Sequence, residues 1–367
     1  MSTFRYVEWL LSAVFGFILV TLIKAKAEKI FKGWLRIPLF FIEFFLMMTM
    51  AYLLIAVDSL ISWKFHYPFS GIYIALLAEC LSDVLFYLIS LVSKKKESSF
   101  RLIVSIIVMI CVFSYGTINM ETIKGNRLSY SSDKLKHDYT IIFIADLHYG
   151  SAQSQNIVAE TLDEIRKLSP DYLILGGDIT DEYTTKEEME WIYEQLSDLG
   201  MPVYYVYGNH DRQDSSHYIK TRNYSEKELE DTIIKNGITI LEDEYIILND
   251  DLIVLGREDS NKEERKEVGS LKPWPKDHYV ICVDHSPYQT DDIIKTKADL
   301  QLSGHTHAGQ YFPLKTLYTL AGLNVYGNYR IEDTDLYVSS GISGWYSPFR
   351  NEEGCHYEII NLSKKMN

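Results

Sequence analysis

The chain is predicted to form four membrane-spanning helices followed by one α/β domain, and three observations carry that prediction. Four apolar runs fill the first 120 residues, strand-like and amphipathic helical segments alternate from Tyr139 onward, and short blocks rich in Asp and His stand where those strands end. The expected boundaries are 1–120 for the helical unit, 121–138 for a polar juxtamembrane linker and 139–367 for the α/β domain.

The apolar runs are Val7–Ile23, Pro38–Val57, Gly71–Val92 and Leu102–Ile118. Each approaches the ~20 residues a helix needs to cross ~30 Å of hydrocarbon. The first run is too long, and its flank too poor in basic residues, for a cleaved signal peptide. The first connection carries Lys24, Lys26, Lys29, Lys32 and Arg36, and the third Lys94, Lys95, Lys96 and Arg101, whereas the second has only Lys64. Basic loops stay in the cytoplasm. The domain after Met120 is therefore expected on the extracytoplasmic face of a multi-pass cell-membrane protein. Glu43, Glu79 and Asp83 fall inside the second and third runs. Such acids either mark a functional path or are carboxyls near the interface or bonded to a neighbouring helix.

Charge is divided unevenly. The first 120 residues hold 11 Lys and Arg against 7 Asp and Glu, leaving 25 against 43 for the remainder. A domain that acidic repels a polyanion, so nucleic-acid binding is not expected. The four cysteines show no metal-binding spacing, and a Cys282–Cys355 bridge is left open by an oxidising location.

In the α/β domain, Thr140–Ala145 ends at Asp146 and His148, and Asn156–Leu168 follows with helical spacing. Tyr172–Leu175 ends at Gly177, Asp178 and Asp181. Thr185 and Glu188 form a capping box for a helix to about Leu199. Pro202–Val206 ends at Gly208, Asn209, His210 and Asp211, and Ser225 with Glu228 opens another helix. Tyr245–Asn249 and Leu252–Leu255 suggest an antiparallel pair. Tyr279–Val283 then ends at His285, and Leu300–Ser303 leads into Gly304-His305-Thr306-His307, with Leu336–Val338 and Tyr357–Ile360 as the last strands. Parallel α/β sheets put their ligands at the carboxyl ends of strands, where these blocks lie.

Asp146, His148, Asp178, Asn209, His285, His305 and His307 offer carboxylate, amide and imidazole ligands. They imply one oxygen-rich and one imidazole-rich position sharing a carboxylate. Two cations ~3.5 to 4 Å apart suit in-line displacement at phosphorus, with water activated between them. His210 is positioned to protonate a leaving alkoxide, with Asp211 as its partner.

These blocks resemble the calcineurin-like metallophosphoesterase superfamily, and in particular a bacterial membrane-associated branch with Gly-His-Thr-His-x-Gly-Gln followed by an apolar-Pro segment, here Tyr311-Phe312-Pro313. The resemblance covers about 139–360. It implies a two-sheet sandwich with helices on its outer faces and a dinuclear centre of Mn, Fe, Zn or similar divalent ions. By motif position, Asp146, His148, Asp178 and His307 would hold one metal, and Asp178, Asn209, His285 and His305 the other, with His210 as proton donor. Ala308 stands where the branch usually has Gly. The Gly341…Pro348-Phe349-Arg350 segment resembles the branch's ending, which makes Arg350 either a phosphate contact or a surface partner of Glu352 or Glu353.

The function expected is a membrane-anchored hydrolase of phosphomonoesters or phosphodiesters, its substrate lipid-linked or part of the cell envelope. A membrane transporter or sensor with a regulatory phosphoesterase-like domain is the alternative, and a UDP-2,3-diacylglucosamine pyrophosphatase-like hydrolase a minor one. The pocket loops 214–224 and 257–276 carry no code for the substrate.

Overall fold

The computed structural model describes residues 3–30, 36–56, 63–92, 98–212 and 222–365. Four long helices come first: α1 (Thr3–Ile30), α2 (Arg36–Ala56), α3 (Trp63–Val92) and α4 (Ser98–Glu121). Each contains a window long and apolar enough to cross a membrane: Val7–Ala27, Ile37–Leu54, Tyr67–Leu91 and Phe100–Glu121. α3 packs against each of the other three, and its Tyr73–Ala78 segment is buried. Side-chain-free backbone lets α1 meet α3 closely: a Cβ on Gly16 would lie 2.5 Å from the Gly71 carbonyl.

Lys32, Lys94, Lys95 and Lys96, on which the orientation was argued, lie outside the described residues, as do 214–221 of the first pocket loop. Lys24 belongs inside the helical unit rather than to a loop. Its ammonium lies 3.0 Å from Glu43, 2.9 Å from Glu79 and 3.0 Å from Asp83, and Arg101 also pairs with Asp83. Residues from all four helices meet in this knot. The three acids are thus ion-paired within the bundle, as the cost of an isolated charge at membrane depth requires.

The rest of the chain forms two six-stranded sheets. The first contains β1 (Ile123–Ser132), β2 (Tyr139–Ile144), β3 (Tyr172–Leu175), β4 (Val203–Tyr205), β5 (Thr239–Ile240) and β12 (Cys355–Lys364), in the order β1-β12-β2-β3-β4-β5. The second contains β6 (Glu244–Leu248), β7 (Leu252–Gly256), β8 (Tyr279–Val283), β9 (Leu300–Ser303), β10 (Gly327–Ile331) and β11 (Thr334–Val338), in the order β10-β11-β9-β8-β7-β6. Ile141, Phe143 and Ile174 of one sheet face Val254, Ile281 and Leu302 of the other across a dry core. α5 (Gln155–Lys167), α6 (Lys186–Ser197) and α7 (Glu226–Lys235) cover the outer face of the first sheet. α6 and α7 begin with the expected Thr185/Glu188 and Ser225/Glu228 capping boxes. α8 (Thr290–Thr296) lies beside β10, and α9 (Leu314–Leu320) lies against α2.

The expected linker 121–138 is corrected by β1. Only Thr122 separates it from α4, and it pairs in parallel with β12 from Ile123 opposite Cys355 to Ser132 opposite Lys364. As an edge strand it buries only Leu128, so it lacks the alternation by which a strand is read.

The helices are packed directly onto the domain. Phe349 is wholly buried beside Trp9, Tyr73 and Tyr311. Asn119 donates to the carbonyls of Arg350 and Glu353 at 3.1 and 3.2 Å, and Tyr73 donates to the Phe312 carbonyl at 2.9 Å. The four cysteines are free thiols, with Cys282 and Cys355 in separate clusters.

Candidate metal centre

Strand register brings the polar blocks together. Ile144 is opposite Leu175, Leu175 opposite Tyr205, and Val283 opposite Leu302, so the parallel strands of each sheet end level with one another. Just beyond those ends stand two groups of ligand atoms: Asp146, His148 and His307, and Asp178, His285 and His305. Within each group the atoms lie within 4.8 Å of one another. Asp178 Oδ2 lies between them, 3.7 Å from His148 Nε2 and 3.0 Å from His285 Nε2. His307 Nε2 is 3.7 Å from Asp146 Oδ1.

The backbone at these positions is strained. Asp146, His148, Asp178, His305 and His307 have φ of 56°, 44°, 53°, 71° and 47°. Such conformations cost of order 1–3 kcal/mol each and gather at functional sites. Hydrogen bonds hold them, including His305 N to both Asp146 oxygens at 2.9 and 3.0 Å. Glycine clears the space around the carboxylates: a Cβ on Gly208 would lie 2.2 Å from Asp178 Oδ1, and one on Gly304 2.3 Å from Asp146 Oδ2. Ala308, at φ 47°, occupies a left-handed position that suits glycine.

The donor set fits divalent cations. His285 Nδ1 is 2.8 Å from the Gly176 carbonyl, His307 Nδ1 3.3 Å from the Ser343 carbonyl, and His148 Nδ1 3.4 Å from Asp181 Oδ2. The contacts of His285 and His307 leave Nε2 to ligate, the arrangement that fixes tautomer and ring angle at metal sites, while Asp181 stands beside His148 as a charge partner. His148 Nε2, His285 Nε2 and Asn209 Oδ1 are buried without a hydrogen-bond partner, a cost that a cation would remove. Electrostatics agree. Burial pushes the Asp146 carboxyl up to about 6. His285 rises to about 10 because Asp178 outweighs burial, whereas burial and the His285 charge drive His305 down to about 3. A cation at the centre resolves these conflicts by favouring ionised carboxylates and neutral imidazoles.

His210 stands beside this cluster, its ring centroid 5.2 Å from that of His148 and 5.1 Å from Trp345. Its Nδ1 is 2.7 Å from Glu182 Oε1. Burial works against the imidazolium, but Glu182 and Asp178 outweigh it and raise the ring well above the ordinary histidine value. Glu182 was missed from sequence; the only signal was an acid directly after Asp181.

Two expectations are corrected. Asp211 is not the partner of His210: its carboxylate accepts from the backbone of Asp178, Ile179, Thr180 and Gly208 at 2.7 to 3.1 Å, tying the two ligand loops together. Arg350 is neither a surface residue nor aimed at a phosphate. It is fully buried, and it donates to the carbonyls of Ser343 at 3.0 Å, His307 at 2.5 Å, and Ser340. A guanidinium with five fixed donors suits a knot of carbonyls as well as it suits an anion. Gln310 does related work, donating to the Trp345 and Phe349 carbonyls at 3.0 and 3.2 Å.

Two facing sheets carry paired ligand groups at their strand ends, an arrangement suited to metal-dependent hydrolysis of phosphate esters. The profile of the calcineurin-like phosphoesterase family matches residues 139–309, so this is a calcineurin-like metallophosphoesterase domain. A Helicobacter pylori protein described as an uncharacterized metallophosphoesterase is 30% identical over 227 residues, 59% of this chain and 58% of its own length. A Danio rerio transmembrane protein with metallophosphoesterase domain is 25% identical over 61% of this chain and 53% of its own. The Escherichia coli phosphodiesterase YaeI is 24% identical over 65% of this chain and 86% of its own.

Proposed function

We propose that the protein is a membrane-anchored phosphoesterase with a dinuclear centre, acting on phosphomonoesters or phosphodiesters of lipid or cell-envelope substrates on the extracytoplasmic face. The observation that carries this reading is Asp178 Oδ2 between two ligand groups, each with a buried Nε2, of His148 in one and His285 in the other, that lacks a hydrogen-bond partner. Asp146, His148 and His307 would hold one divalent ion and Asn209, His285 and His305 the other, with Asp178 shared. Bound there, the ions would supply Lewis-acid polarisation of a phosphoryl oxygen and an activated water.

The remaining chemistry belongs to the chain itself. His210, kept protonated by Glu182, gives its proton to the leaving alcohol oxygen. Asp181 and the Gly176 carbonyl orient His148 and His285. Arg350 and Asp211 hold the ligand loops in their strained conformations. A relative described as a transmembrane protein supports the anchoring, and the loop charges of the sequence support the side.

Hydrolysis of p-nitrophenyl phosphate and bis-p-nitrophenyl phosphate by the full-length protein in detergent with Mn tests this reading. Activity abolished by Asp178→Asn is the expected result, and the preferred compound separates monoesterase from diesterase. Full activity in Asp178→Asn, or none in the wild type with metal bound, would refute it.

A further inference from the structure

After α4, six large apolar side chains among the described residues are exposed: Ile234, Ile247, Tyr288, Phe312, Leu320 and Leu323. The last four fall near one another in the chain, beside the ligands His285, His305 and His307. Residues 316–329 contain no charged side chain, within a domain otherwise dense in acids. The turn Thr319–Leu323 is exposed at every position, Leu320 to 80%. Apolar surface gathered in this way marks a contact with something less polar than water.

The neighbours of the turn identify that contact. Leu317 and Tyr318 of α9 pack against the cluster that contains Met47, Ala51 and Leu54 of α2. At the same end of α2, Tyr52 is 51% exposed on a helix apolar enough to cross a membrane, and its phenol is within electrostatic reach of that of Tyr318. The exposed turn is therefore continuous with the exposed surface of a helix apolar enough to cross a membrane. In the other direction, Tyr318 is within electrostatic reach of Tyr288, whose ring stands edge-on to the ligand His305 at 5.7 Å. Tyrosines, apolar in body and polar at the tip, settle at the boundary between hydrocarbon and water.

We infer that the turn after α9, with Leu320, Leu323 and Phe312, inserts into the adjacent lipid leaflet, and that Tyr318 and Tyr288 line the path by which the phosphate group of a bilayer lipid reaches the metal ligands. This rests on the phosphoesterase reading and narrows it to membrane-resident phosphate esters. In the reaction water adds across the ester: a new P–O bond forms, the P–O bond to the lipid alcohol breaks, and that alcohol takes a proton.

Two measurements on the full-length protein test the inference, in vesicles of phosphatidylcholine containing phosphatidic acid and phosphatidylglycerol. The first places an environment-sensitive fluorophore on Leu320→Cys in a Cys111→Ser background, since the other three cysteines are buried. Nitroxide-bearing lipids should quench it strongly and leave the same label on Ile234→Cys bright. Equal quenching at the two positions would overturn the insertion. The second compares hydrolysis of vesicle lipid with that of bis-p-nitrophenyl phosphate. In Leu320→Asp/Leu323→Asp the ratio of lipid to soluble turnover should fall by roughly tenfold, because binding at the interface scales with the apolar area buried there. An unchanged ratio would overturn the path. Wild-type protein that cleaves the soluble ester but no vesicle lipid would overturn the lipid substrate while leaving the phosphoesterase reading intact. Failure to cleave either ester would overturn that reading itself, with the label still deciding insertion.

Discussion

At the scale of single residues, the buried polar side chains divide by what they touch. Glu182 reaches His210, which stands outside the two ligand groups with a proton to give. Replacing His210 by Ala should lower kcat by about 10²–10⁴ on an alkyl ester, with a smaller loss on a p-nitrophenyl ester whose leaving group needs little protonation. Glu182→Gln should move kcat in the same direction and leave KM nearly unchanged, which steady-state kinetics on both esters would show. Arg350 calls for a different outcome. A phosphate contact would raise KM alone, whereas Arg350→Met leaves several buried carbonyls unpaired at about 1–3 kcal/mol each and should lower the melting temperature and metal content together. Glu358, fully buried and bonded by Ser339 and Tyr337, is pushed by burial from 4.5 up to about 8. The folded protein thus keeps a proton that the unfolded chain gives up. Its stabilising effect is complete below pH 4.5 and lost as pH rises through about 8. Melting temperature should fall over that window in the wild type and fall less in Glu358→Gln.

At the scale of elements, what could be read from sequence depended on whether the signal was local. The polar blocks were legible because each follows a run such as Tyr172–Leu175 or Tyr279–Val283, buried on both faces and bounded by glycine or acid. Capping boxes were legible for the same reason, since Thr185 and Glu188 sit three residues apart. β1 was not, because a half-solvated edge strand takes its hydrogen bonds from β12, more than two hundred residues away in sequence. The partners of His210 and Arg350 were likewise hidden, as both are set by separate loops meeting at the strand ends: Glu182 follows β3 and His210 follows β4, while Arg350, just before β12, reaches His307 after β9. Among the helices, the position of Lys24 could not be separated from a basic loop until its distances to three acids were known. Lys24→Met should strand those carboxylates and destabilise the bundle by about 3–5 kcal/mol. Thermal unfolding in detergent would measure the loss, and adding Glu43→Gln, Glu79→Gln and Asp83→Asn should restore part of it.

At the scale of the whole molecule, membrane helices and sheets form one packed unit around the segment from Gln310 to Arg350. Metal bound at the centre would therefore stabilise more than its own ligands. Chelation should lower the melting temperature of the entire protein, since a ligand at 100 times its Kd contributes about 2.7 kcal/mol. Asp178→Asn should abolish that response to chelator and to added Mn.

The single residue between α4 and β1 bears on what the protein can reach. A tether of many residues would let a catalytic head sweep a volume above the bilayer. On the proposed reading the head is mounted like a gauge at fixed height, and a bond in a long surface polymer would meet it only where that polymer is rooted in the membrane. Lengthening the join with glycine and serine would extend that height by at most ~3.3–3.6 Å per residue, once the contacts of Phe349 were released. Were the four helices to span a membrane as proposed, position above it would be part of the specificity, set by geometry before any pocket is entered.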